Sequence, residues 1–106
     1  MITIEEFAKA ELKIGKILEA KRVEGSSKLI VMKINIGEER QIVAGIGKAY
    51  EPEEIVGKSI VVVANLQPAR LMGVESQGML LAASDDEGRL AIITPDRQIK
   101  EGSRVK

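Results

Sequence analysis

Between Lys28 and Arg40 the chain alternates apolar and polar side chains and then turns sharply. Ile30, Met32, Ile34 and Ile36 fall on one face, with Lys33 and Asn35 on the other, which is the period-two pattern of a half-buried strand. Gly37-Glu38-Glu39 reads as a turn into a second apolar strand over 40–46, closing a hairpin. A chain of 106 residues built from such units has room for one domain, residues 1–106, with a single modest core. Phe7 and Tyr50 are its only aromatic residues, so that core must be made of Ile, Val, Leu and Met. Stacking of bases on aromatic rings, the usual platform for single-stranded nucleic acid, is nearly unavailable.

The rest of the chain continues in short units. Thr3-Ile4-Glu5-Glu6 is a capping box, with Ile2 and Phe7 placed as a hydrophobic staple, and predicts a short helix to about Ala10. From Leu12 to Val23 the apolar positions change phase at Ile17, beside Gly15, which predicts a long strand kinked by a bulge. Pro52-Glu53-Glu54 suits one helical turn starting near Glu51, with acids at its positive end. The 58–66 segment is the most apolar strand, and Met79–Ala83 and Leu90–Ile93 are two more, separated by Asp85-Asp86-Glu87-Gly88. These short strands, with one helical connection after the third, fit a five-stranded Greek-key barrel of the oligonucleotide/oligosaccharide-binding (OB) type. The residues alone also admit another small barrel.

Composition removes several chemistries. With no Cys and no His, the chain lacks thiolate nucleophiles, the usual zinc ligands and the common neutral-pH general base. Gly57-Lys58-Ser59 matches the tail of a phosphate-binding P-loop, but Pro52 stands where its first glycine is needed, and proline has no amide hydrogen to offer a phosphate. Gly45-Ile46-Gly47 likewise meets Tyr50 where a dinucleotide fingerprint requires glycine. The acids at 53–54 and 85–87 lack calcium-loop spacing and read as solvated turns. No cofactor or metal is expected. The longest apolar runs, such as 60–64, are far short of the roughly 20 residues a membrane span needs, and no signal-peptide pattern opens the chain. The expectation is a cytoplasmic protein without membrane contact. Formal net charge is +0, which argues against coating nucleic acid by bulk charge. Lys13, Lys16, Lys21, Arg22, Lys28 and Lys33 nevertheless outnumber Glu19 and Glu24 over 13–33.

The 65–84 segment is of another kind. It follows the most apolar strand, yet Pro68 stops a ladder, Gly73 and Gly78 permit close approach, and Asn65, Gln67, Arg70, Ser76 and Gln77 bring donors and acceptors. An ordinary surface loop would also fit these features. The segment resembles, at Asn65, Leu66, Pro68, Gly73, Ser76, Gly78, Met79, Leu81, Ala83 and Ser84, the pattern of the tRNA-binding OB domain. That domain is appended to methionyl-tRNA synthetases and occurs in stand-alone tRNA-binding proteins and synthetase-associated cofactors. Leu12-Lys13-Ile14-Gly15-Lys16-Ile17, Ser27-Lys28-Leu29 and Lys100-Glu101-Gly102-Ser103-Arg104-Val105 look like the family's first strand, its turn and its end. The family's His-Pro before that turn is missing, and Gln67 and Met72 stand where basic residues are usual. Fewer cations imply fewer phosphate contacts and a shallower salt dependence.

The resemblance implies an all-β OB barrel with a short N-terminal helix and a C-terminal extension. Its function would be non-catalytic, structure-dependent binding of tRNA, as an accessory module or β subunit that delivers tRNA to a catalytic methionyl-tRNA synthetase chain. Lys28, Lys33 and Arg70 would meet phosphates, and Asn65, Gln67, Ser76, Gln77 and Ser84 would offer hydrogen bonds. For Lys28 and Lys33 a plain solvated strand face is equally open. The family commonly forms homodimers, for which the N-terminal helix and the Leu90–Ile93 strand are candidate interfaces; ordinary barrel closure also explains the strand. Two rivals are a chaperone-like, peptide-binding homodimer and a docking domain for synthetase assembly.

Overall fold

In the computed structural model, which describes residues 1–106, the capping box forms as its residues require. Thr3 Oγ1 accepts from the Glu6 amide at 3.1 Å, and Glu6 Oε1 accepts from the Thr3 amide at 3.1 Å. The helix it starts, α1 (Ile4–Phe7), ends before Ala10. The Lys9 and Ala10 amides bond only three residues back, to Glu6 and Phe7, so the turn tightens and stops. Asn65 Nδ2 then holds the Lys9 carbonyl at 2.7 Å.

Ten strands and one further helical turn follow: β1 (Leu12–Arg22), β2 (Ile30–Asn35), β3 (Glu39–Ala44), α2 (Pro52–Ile55), β4 (Ser59–Val63), β5 (Ala69–Leu71), β6 (Val74–Ser76), β7 (Met79–Leu80), β8 (Ala82–Ser84), β9 (Leu90–Ile92) and β10 (Arg104–Val105). The sheet runs β3-β2-β1-β4-β7, with β10 beside the start of β1. All its ladders are antiparallel. This is the OB arrangement expected from the sequence. The long strand β1 belongs to both halves: 12–16 pairs with β4 and 16–22 with β2.

The phase change along β1 has two causes. Leu12 and Ile14 cover an outer cluster with Val61 and Val63, whereas Ile17 enters the main core. The register shift itself lies between Ile17 and Glu19, one step later than the sequence pattern places it, and lets Ala20 pack on the core side. Gly15 faces inward as well. A Cβ there would stand 2.9 Å from Ile36 Cγ2 and 3.3 Å from Val62 Cγ2, so any larger residue must displace the core.

That core combines Ile30, Met32 and Ile34 of β2 with Ile42 of β3, Ile60 and Val62 of β4, Ile55 of α2, Leu80 and Ile92. The opposite faces are partly covered too. Val61 and Val63 of β4 lie in the outer cluster with Leu12 and Ile14, which is why 59–63 lacks polar alternation. Val23, Val31 and Val43 form a third cluster beneath Val74. Strand β9 pairs with β8 outside the main sheet and packs inward: Ile92 is buried, Leu90 packs on the core, and the Ile92 amide donates to the Tyr50 hydroxyl at 3.1 Å.

The β8–β9 turn is organised by one carboxylate. Asp85 Oδ1 accepts from the Glu87 and Arg89 amides, and Oδ2 from Arg89 Nε at 2.6 Å. The Arg89 amide, followed by its guanidinium, holds the Asp85 carboxyl below its ordinary value. A folded pKa below the unfolded one contributes stability at higher pH, and that contribution is lost as pH falls through the folded value. Carboxyl titration by NMR should therefore give Asp85 a lower midpoint in the folded protein than in the urea-unfolded chain; equal midpoints would contradict the turn geometry.

Candidate functional site

A barrel with this strand order must close between β3 and the segment before β7, yet no continuous ladder forms there. Unpaired strand edges are costly when covered. Here one backbone bond and several side chains complete the pairing. The Gln77 amide donates to the Gln41 carbonyl at 2.8 Å, and Gln77 Oε1 accepts from the Gln41 amide at 3.0 Å. Ser76 Oγ accepts from the Val43 amide at 2.9 Å and donates to the Gly78 carbonyl at 3.0 Å. Arg40 donates to the Gln77 carbonyl at 3.3 Å and to the Ala64 carbonyl. Ser76, only 4% exposed, is thus withdrawn from the surface where the sequence places it as a ligand group. Gln77 has its side-chain oxygen engaged in the same seam.

Asn65 is also occupied. Its Oδ1 accepts from the Glu11 amide at 2.8 Å while Nδ2 holds Lys9, so it ties the exit of β4 to the chain after α1. Lys33 lies on the outer side of β2, 3.6 Å from Glu19, across the ladder from Gln41. Four of the expected residues stay on offer: Lys28, Gln67, Arg70 and Ser84 are exposed, and none of the four forms an ion pair.

What the sequence reads as a loop over 66–78 contains a hairpin. Strands β5 and β6 pair Ala69 with Ser76, Arg70 with Glu75, and Leu71 with Val74. The turn between them has φ 49° at Met72 and 81° at Gly73, the two positive values of a tight hairpin turn. Methionine is a poor residue for that conformation, which hides the turn from a sequence reading. Cross-strand partners share a face. Arg70 and Glu75 therefore point away from the barrel, with Arg70 Nη1 bonded to the Gly73 carbonyl at 2.8 Å, while Ala69, Leu71, Val74 and Ser76 share the barrel-side face, where Ser76 is buried and Ala69 and Leu71 stay exposed.

Under that inner face runs a groove of about 500 Å³, bounded by Val43–Ile46, Leu66, Gln67, Leu71, Met79–Ala82 and Leu90. None of its lining residues is charged. Ser84 shares the face of Ala82 along β8. Lys28 is placed by the other wall: its stem passes Gly45, where a Cβ would stand 2.9 Å from Lys28 Cε. Gln67 thus lines the groove itself, Lys28 and Ser84 sit next to its lining residues Gly45 and Leu90, and Arg70 lies on the hairpin's outer side.

A family model described as "Putative tRNA binding domain" matches residues 12–104. The chain belongs to this tRNA-binding domain family. The domain is 60% identical to the methionine–tRNA ligase of Caldanaerobacter subterraneus over 105 residues, covering 98% of this chain and 16% of that protein. Identity to the Thermotoga maritima methionine–tRNA ligase is 56%, over the same shares of 98% and 16%. This tRNA-binding domain therefore spans a small part of the curated relatives it matches. Among solved structures, the MetRS related protein from Pyrococcus horikoshii superposes with TM-score 0.95 at 37% identity, covering 100% of this chain and 98% of that one. The chaperone CsaA from Bacillus anthracis superposes with TM-score 0.91 at 28% identity, covering 100% and 99%.

The residues expected to bind in the 65–84 segment thus divide into a structural set (Asn65, Ser76 and Gln77) and an unpartnered or outward set that includes Gln67 and Arg70. Ser76→Ala leaves the Val43 amide and the Gly78 carbonyl without this partner and should lower unfolding free energy by about 1–3 kcal/mol, measured by urea denaturation. Gln67→Ala should leave the urea midpoint within error of wild type. The reverse ranking would overturn this division.

Proposed function

We propose that this tRNA-binding domain is a non-catalytic module that holds folded tRNA and supplies it to a catalytic methionine–tRNA ligase chain, whether fused to it or separate. The observation that carries the proposal is an uncharged groove lined by exposed Gln67, with exposed Lys28 and Ser84 beside its lining residues and Arg70 on the outer face of the overlying hairpin, on a chain 60% identical to part of a methionine–tRNA ligase. With almost no aromatic rings to read unpaired bases, the domain would recognise mainly the shape and phosphate path of tRNA. Lys28 and Arg70 are the cations best placed for phosphate. Lys33, paired with Glu19, contributes less.

Two phosphate contacts imply a log–log salt slope of only about −1.5 to −2. Fluorescence anisotropy with total tRNA and a duplex RNA control should show tRNA binding that weakens with salt at about that slope. Arg70→Ala should make the slope shallower by about 1. Failure of the wild type to bind tRNA at low salt would sink the proposal, whereas an unchanged Arg70→Ala slope would remove only that contact. The uncharged groove also favours a second reading, peptide binding as in a chaperone. Salt-insensitive binding of an unfolded peptide without tRNA binding would select it.

A second copy of this chain is the proposed partner of α1. No residue of α1 is buried; Ile4 is 71% and Phe7 37% exposed, and both border a hollow with Ala8, Ala10 and Val105 that Arg104 and Lys106 also line. Pairing there would present two weak tRNA sites together and raise overall affinity through effective concentration. Light scattering should give a dimer mass for the wild type and a monomer for Ile4→Glu, with weaker tRNA binding in the variant. A monomeric wild type at micromolar concentration would refute the pairing.

A further inference from the structure

We propose that the groove beneath the β5–β6 hairpin receives one unstacked nucleobase of the bound tRNA, with Gln67 meeting the base edge and Lys28 the adjoining phosphate. The inference rests on the tRNA-binding reading above and assigns a role to the groove that phosphate contacts alone leave without one.

The walls suit a flat, uncharged ring. Leu66, Leu71, Met79 and Leu80 line the groove, and apolar side chains can clasp a base taken out of its stack where aromatic rings are lacking. The Met79 thioether adds a polarisable contact for a ring. A groove of about 500 Å³ lies within the roughly 300–1,000 Å³ of small-ligand pockets.

The mouth distinguishes a nucleotide from an apolar peptide side chain. Gln67 is exposed and its side chain bonds to nothing within the chain, so its amide offers a donor and an acceptor side by side, as a base edge requires. Lys28, outside the lining itself, runs beside Gly45 of the wall and is exposed there, within the length of one nucleotide, and no carboxylate lines the groove to repel a phosphate. A peptide's apolar side chain arrives on a neutral backbone and has no use for that cation; a nucleotide carries its anion next to its base.

The test uses the whole chain and tRNA transcripts carrying 2-aminopurine singly at unpaired positions. One position should brighten on binding as its base leaves the stack. Ala82→Phe, which fills the groove from an exposed strand position, should abolish that signal. It should weaken tRNA binding roughly 5- to 100-fold without changing the salt slope, because no charge is altered. Lys28→Ala should instead make the slope shallower. Gln67→Ala, which disturbs no internal contact, should weaken binding and reduce the 2-aminopurine change, and it tests the pocket independently should Ala82→Phe fail to fold. Wild-type tRNA affinity and fluorescence in Gln67→Ala, or in folded Ala82→Phe, would overturn the base pocket while tRNA binding stands. Loss of unfolded-peptide binding alone in Ala82→Phe would also overturn it and assign the groove to peptide. A wild type that binds no tRNA would instead fail the underlying function.

Discussion

The barrel depends on how the free edge of β3 is satisfied. A five-stranded sheet can curl only until its first and last strands meet, and here β7 is too short to supply a full ladder. The Ser76 hydroxyl, the Gln77 side-chain oxygen and the Arg40 guanidinium take over missing hydrogen bonds. Because these partners are side chains, closure is written into residue identity rather than into backbone alone. The hairpin packed above the seam inherits its position from that closure. So does the groove between them.

One segment therefore performs two jobs by alternation. Residues of β5 and β6 that face the barrel pack and shape the groove, while Arg70 and Glu75 between them face water. The side chains most available to a ligand are those the interior leaves without partners. Gln67 is the clearest case, lying between Asn65, held by the chain after α1, and Pro68, which offers no amide.

Much of the scaffold is legible in the sequence. The capping box at Thr3, the alternation over 30–36, the Gly37 turn and the Pro52 helical turn each express a local rule strong enough to survive folding. The bulge in β1 is legible in kind but displaced by a step, because Leu12 and Ile14 serve a second cluster on the opposite face and so mimic a break in phase. The site is less legible. Ser76 and Asn65 look like ligand groups because polarity in a loop does not reveal whether its hydrogen bonds are met by solvent or by a distant backbone amide. The β5–β6 hairpin is hidden because its turn begins with Met72, a residue whose side chain disfavours the required φ. The groove exists only once that hairpin is in place, so no local pattern announces it.

The pairing of β10 with the beginning of β1 sets Leu12 opposite Val105 and Lys13 opposite Arg104. The two ends of the barrel consequently lie side by side. A larger polypeptide could carry this barrel at either end, or between two of its own segments, with little separation to bridge. Such portability lets the same barrel be exchanged among proteins of different architecture, since no host has to reshape itself around the guest.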